Sequence, residues 1–78
     1  MNKYLICCQF TKPIFEYENF HRAISSYEST VKLFSSVYII ITNSNADLIL
    51  ENLSPQIKPD DKLFITKIDE EYAGKGFD

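Results

Sequence analysis

The residues that could do chemistry are few and widely spaced. Gln9 is an amide at the end of an apolar run, a neutral group able to bind a ligand or simply to face solvent. Asp60-Asp61 could offer two carboxylates to a cation, but adjacent acids before a strand more often build a turn. His21 is the only histidine, hence the only side chain that ordinarily titrates near neutrality, and it has no sequence neighbour suited to base chemistry. Ser35-Ser36 could present hydroxyls and amides to a phosphate, or could form a hairpin or bulge. Gly74-Lys75-Gly76 places a cation in flexible backbone and is a weak phosphate signal. Cys7 and Cys8 point to opposite sides of a strand, which excludes an ordinary disulfide between them and makes them small core hydrophobes. No GxSxG, P-loop, GxGxxG or zinc-type Cys/His spacing occurs. The expected metal set is empty and no cofactor is expected.

The elements that must position these groups follow from periodicity. Residues 3–10 form a short run with Tyr4, Ile6, Cys8 and Phe10 on one side and Leu5 and Cys7 on the other. A strand apolar on both faces belongs inside a covered sheet. Pro13 breaks it. Tyr17, Phe20, Ile24 and Tyr27 then recur at helical spacing, which predicts a helix over 17–27. Residues 30–34 read as a second strand and 37–41 as a third, again apolar on both faces. Ser44 or Asn45 can cap a second helix carrying Ala46, Ile49, Leu50 and Leu53, which ends before Pro55. Residues 63–68 give the last strand. The tail Asp69–Asp78 is acidic and holds both glycines.

The order β-α-β-β-α-β predicts an α+β, ferredoxin-like sandwich over a single domain, 1–78. Its sheet is antiparallel in the order 4-1-3-2, with both helices on one face. Strands one and three are then central, in agreement with their two apolar faces. The edge strands carry Lys32, Lys62 and Lys67, which discourage edge pairing. The face away from the helices would expose side chains of strands one and three, either Leu5 and Cys7 or Tyr4, Ile6 and Cys8, with Tyr38 and Ile40 or Val37 and Ile39. Such a patch predicts a homodimer, or a cap formed by the tail through Tyr72 and Phe77. The assigned interface residues are Leu5, Cys7, Tyr38, Ile40, Tyr72 and Phe77. Tyr4, Phe10, Tyr38 and Phe64 could instead stack bases on a sheet surface, a role that competes with the dimer.

Composition sets the outer bounds. A chain of 78 residues buries only about 60% of its unfolded surface, so oligomerisation is the natural supplement where disulfides and metals are lacking. The sequence is 45% hydrophobic and 24% charged, a globular balance. No run approaches the roughly 20 apolar residues of a membrane span, and the first residues lack a signal-peptide pattern. A cytoplasmic protein with no membrane partner is expected. The net charge of −3 gives no general support to nucleic-acid binding, though a local patch could supply it.

The stretch from Tyr4 to Pro13, followed by Tyr17 and the helix end Ala23-Ile24-Ser25-Ser26-Tyr27, resembles the small CRISPR-adaptation nuclease-subunit (Cas-two-like) family. It is most similar to that family's stand-alone, SinR-like relatives. The resemblance runs on through Leu33-Phe34-Ser35-Ser36-Val37 to Thr42, a short helix ending at Leu53, Asp60 to Ile68, and Tyr72-Ala73-Gly74-Lys75-Gly76-Phe77. It implies a ferredoxin-like fold and a homodimer across the sheet faces. For catalytic members it also implies Mg²⁺-dependent phosphodiester cleavage by an aspartate that ends strand one in each subunit. Here that position is Gln9, which can ligate a hard cation but cannot neutralise it.

The leading expectation is therefore a non-catalytic, dimeric Cas-two-like module that binds nucleic acid, a nucleotide or a protein partner, with Gln9, Ser35, Ser36 and Lys75 as its ligand-contact residues. One alternative is a metal-dependent endonuclease or endoribonuclease using Mg²⁺ and recruiting Asp47, Asp60 or Asp69. The other is a phage-type oligomer that sequesters nucleotides.

Overall fold

The computed structural model describes residues 1–68 and Ala73. It is the expected α+β, ferredoxin-like sandwich. The elements are β1 (Asn2–Gln9), α1 (Glu18–Ser25), β2 (Ser29–Phe34), β3 (Val37–Thr42), α2 (Ala46–Leu53) and β4 (Lys62–Ile68). The four strands form one antiparallel sheet in the order β2-β3-β1-β4, with the edges where the apolar pattern placed them.

Local chemistry explains the boundaries. A 3-10 turn, Ile14–Tyr17, follows Pro13 and precedes α1, so the helix starts later than its apolar spacing suggests. It also ends earlier. Ser26 donates its backbone N–H and its hydroxyl to the Ala23 carbonyl, at 3.2 and 2.6 Å, which closes the last turn and leaves Tyr27 beyond the helix. Asn45 caps α2 by accepting from the Leu48 N–H at 3.0 Å, with Asp47 in the first turn. Pro55 falls in a 3-10 turn, Ser54–Gln56, just past the helix end.

The core lies between the sheet and both helices. Tyr4 and Ile6 of β1 and Tyr38 and Ile40 of β3 meet Tyr17, Phe20 and Ile24 from one helix segment and Ile49 and Leu53 from the other. Fully burying side chains of this size contributes about 1.5–3 kcal/mol each.

This arrangement corrects one assignment. The sequence pattern assigns Tyr38 and Ile40 to the interface expected on the open face, but both are buried beneath the helices. The register gives the reason. Tyr4 stands opposite Ile40 and Ile6 opposite Tyr38, so these residues share the helix-covered face with Tyr4 and Ile6. Leu5 stands opposite Ile39 and Cys7 opposite Val37, so the open face carries Val37, Ile39 and Ile41 instead. Tyr72 and Phe77 lie outside the described residues.

Candidate functional site

The open face is organised in rows across the four strands. One row runs Phe34, Val37, Cys7, Phe64; the next runs Val31, Ile39, Leu5, Thr66; the third runs Ser29, Ile41, Lys3, Ile68. Val31, Phe34 and Phe64 are exposed and the aliphatic residues between them half-buried, with no layer of the described residues over them. Contiguous apolar surface of this kind makes the open face a candidate interaction surface.

Beyond the aromatic row lies the end of β1. Gln9 is exposed there and stands directly opposite Lys62 of β4. On the other flank, the β2–β3 hairpin turns at Ser35 and Ser36. Ser36 has φ of 67°, a left-handed conformation that costs a non-glycine residue about 1–2 kcal/mol. The turn holds because the Ser36 carbonyl accepts the Cys8 N–H at 2.9 Å, continuing the contact between the hairpin and β1. The fold therefore gathers Gln9, Ser35 and Ser36 at one end of the sheet. Lys75 lies outside the described residues.

Lys62 was missed as a site residue because the sequence shows it only as an edge lysine. Its signal was topological: when β4 runs antiparallel to β1, the residues that open β4 stand beside those that close β1.

Next to this end lies a polar clasp built on Asp61. The Asp61 carboxylate accepts the Thr11 N–H and the Thr11 hydroxyl through Oδ1, both at 2.7 Å, and the Lys58 N–H through Oδ2 at 2.7 Å. Burial works to raise the Asp61 carboxyl, but hydrogen bonds from Lys58, Thr11 and Tyr17 outweigh it and hold the group at about 2. The Tyr17 hydroxyl also accepts the Lys12 N–H at 3.2 Å. Its ring stacks on Phe10, with centroids 4.0 Å apart, and the Lys58 ammonium sits 5.7 Å from its centroid. Burial, followed by the Asp61 contact, raises the Tyr17 phenol. Asp60-Asp61 is thus a turn, with the Asp61 N–H donating to the Lys58 carbonyl at 3.0 Å.

Asp47 opens α2 at the opposite end of the sheet, since Thr42 at the close of β3 pairs with Asn2 at the start of β1. Asp69 lies outside the described residues. Among the described residues no group of three or more His, Cys, Asp or Glu side chains could hold a metal. Gln9 and Lys62, an amide and a cation, suit an oxyanion better than Mg²⁺.

The remaining candidates have structural surroundings. His21 is half-buried; its Nδ1–H donates to the Tyr17 carbonyl at 2.8 Å, and its ring meets Phe20 edge-on. Cys8 faces the helices, and its thiol is pushed up to about 12 by burial, with Cys7 and Asp61 adding. Of the four aromatics considered for base stacking, Tyr4 and Tyr38 are buried and Phe10 is stacked on Tyr17; Phe64 alone of that set is exposed. No helix among the described residues is long and apolar enough to cross a membrane.

No family model, no curated protein and no solved structure matches the chain.

Proposed function

We propose that the protein is a non-catalytic Cas-two-like module, a homodimer joined through the open sheet face, with its ligand site at the Gln9 end of β1. The observation that carries this reading is the set of three rows spanning all four strands, apolar across the centre and uncovered by either helix. A second copy offers an identical surface, and two sheets packed about 10 Å apart would bury both. Single-chain domains of this length gain most from such burial.

The ligand in this reading is an anionic group, nucleic acid or nucleotide, approaching Gln9 and Lys62 where two subunits meet. Cleavage has no support from these side chains. Gln9 brings no charge to a metal, and the nearby Asp61 carboxylate already accepts from Thr11 and Lys58.

Light scattering behind size exclusion tests the dimer, and a monomer at micromolar concentration refutes it. Labelled RNA and DNA, incubated with and without Mg²⁺ or Mn²⁺, test the chemistry. Metal-dependent cleavage that is lost in Asp47→Asn, Asp60→Asn or Asp69→Asn would establish the nuclease alternative. A nucleotide thermal-shift screen tests sequestration, because tight binding to the native state raises its stability.

A further inference from the structure

The open face differs at its two ends, and the difference limits how a second copy can sit on it. One end carries the aromatic row, with Phe34 on the edge strand β2 and Phe64 on the edge strand β4. They are 56% and 63% exposed in the single chain. Their strands lie three spacings apart, about 14 Å, so neither ring covers the other. The row at the far end, Ser29, Ile41, Lys3 and Ile68, holds no aromatic ring. Two copies that share one face are related by a two-fold axis lying between the sheets. For sheets packed in alignment the axis runs along the strands or across them, and the tilt of about 30° shifts facing residues by less than one row. An axis along the strands keeps like ends together and reverses the strand order. Strand β2 then covers the partner's β4, and β3 covers the partner's β1. Phe34 faces the partner's Phe64, and Val31 faces the partner's Thr66. An axis across the strands keeps the order and exchanges the ends. Overlapping three rows then sets Phe64 against the partner's Thr66 or the partner's Ile68, and leaves Lys62 overhanging or against the partner's Ile68.

We propose that two copies pair like end to like end, with the two-fold axis along the strands and Phe34 of each subunit packed on the partner's Phe64. This pairing rests on the dimer reading and specifies its geometry. Symmetry makes the Phe34–Phe64 contact twice, once at each rim, so one arrangement covers all four exposed rings. Aromatic pairs gain beyond the area they bury. The end-for-end arrangement sets the same rings on smaller side chains. The size of the face makes this difference decisive. Three rows on four strands, with their side chains, cover a patch about 20 Å on a side. Two such patches bury close to the roughly 1,000 Å² at which specific interfaces begin, so no area is in surplus. Like-end pairing also keeps Lys62 at the open end of the sheets rather than against an apolar side chain. The two Gln9 ends then lie on one side of the dimer, one strand apart across sheets about 10 Å apart.

A double-mutant cycle on the dimer constant of the full chain, measured by sedimentation, reads the orientation directly. Phe34→Glu and Phe64→Lys each bury an unpaired charge in the dimer and are each expected to weaken it about ten-fold or more. Within one subunit the two positions are too far apart to couple. In like-end pairing, opposite charges meet at both rims of the F34E/F64K dimer. That variant is expected to dimerise at least as well as the better single variant, where additive effects would leave it about a hundred-fold weaker than wild type. Val31→Glu with Thr66→Lys repeats the cycle one row further in, and reads the same orientation if an aromatic-row variant fails to fold. Circular dichroism and urea denaturation check the fold of each. Recovery in the double variants supports like-end pairing. Additive effects in a chain that still dimerises overturn the pairing and leave the dimer reading standing. A wild-type monomer refutes the dimer reading, and the pairing falls with it.

Discussion

Tyr38→Phe is expected to stabilise the protein. The Tyr38 hydroxyl is buried beneath α1, with its ring near Phe20 and His21 at centroid distances of 6.2 and 6.5 Å. It has no hydrogen-bond partner among the described residues. Burial, with Cys8 adding, raises its phenol, so the group is neutral at ordinary pH. A buried hydroxyl without a partner carries a desolvation cost of about 1–3 kcal/mol. Removing the oxygen leaves a gap smaller than a methylene, which offsets part of the gain; truncations of that size cost about 0.5–1.5 kcal/mol. The net expectation is a gain of about 1 kcal/mol, or about 4–8 °C in Tm for a domain of this length. Urea denaturation followed by circular dichroism, at one fixed protein concentration, measures it. Tyr38 faces the helices, so the self-association proposed for the open face should not change. A loss of about 1 kcal/mol or more in the variant would show that the hydroxyl is satisfied, since deleting half of a real hydrogen bond costs about that amount.

Three further outcomes are expected. Ile39→Asp, at the centre of the open face, should give a monomer by light scattering with an unchanged circular dichroism spectrum, because the proposed dimer would have to bury an unpaired carboxylate. Asp61 contributes stability that is fully present above its ordinary carboxyl range and is lost as pH falls from about 4 toward 2, because folding depresses its pKa. Asp61→Ala should lower the urea midpoint at pH 7 and flatten that acid limb; an unchanged limb would remove the clasp as its source. Ser36→Gly should raise stability by up to about 1 kcal/mol by relieving the left-handed strain, less the extra entropy of the unfolded glycine. A destabilised Ser36→Gly would mean that the serine side chain itself supports the turn.

Much of the fold was legible because its signals are local. The apolar period switches from two to about 3.6 at Pro13 and again at Asn45, and those switches bound the other elements to within a residue and α1 to within two. The early end of α1 escaped because Ser26 bonding back to Ala23 competes with helix continuation without changing the apolar spacing through Tyr27. The choice of face for β3 escaped for a different reason. Val37-Ile39-Ile41 and Tyr38-Ile40 are both apolar, so alternation alone carries no preference. The register of β1 against β3 decides it, through hydrogen bonds that no single strand encodes. A weak hint lay in β1, where Gln9 ends the same alternating set as Leu5 and Cys7 and so marks that side as the wetter one.

The site was legible in the same partial way. Gln9 and Ser35-Ser36 were singled out separately, and the sheet brings them to one end, but Lys62 entered only through the antiparallel pairing of β4 with β1. Asp61 shows why proximity of a carboxylate is not enough to restore metal chemistry there. Its oxygens accept three hydrogen bonds at 2.7 Å from Thr11 and Lys58, which tie the exit of β1 to the entry of β4. Turning that carboxylate toward a cation would leave the Thr11 and Lys58 donors without their acceptor and loosen the strand end that carries Gln9. The group that could replace the missing charge is therefore already used to hold the site's geometry, and a Gln9→Asp substitution, which adds a carboxylate without disturbing the clasp, is the more direct way to ask whether this scaffold can cleave a phosphodiester at all.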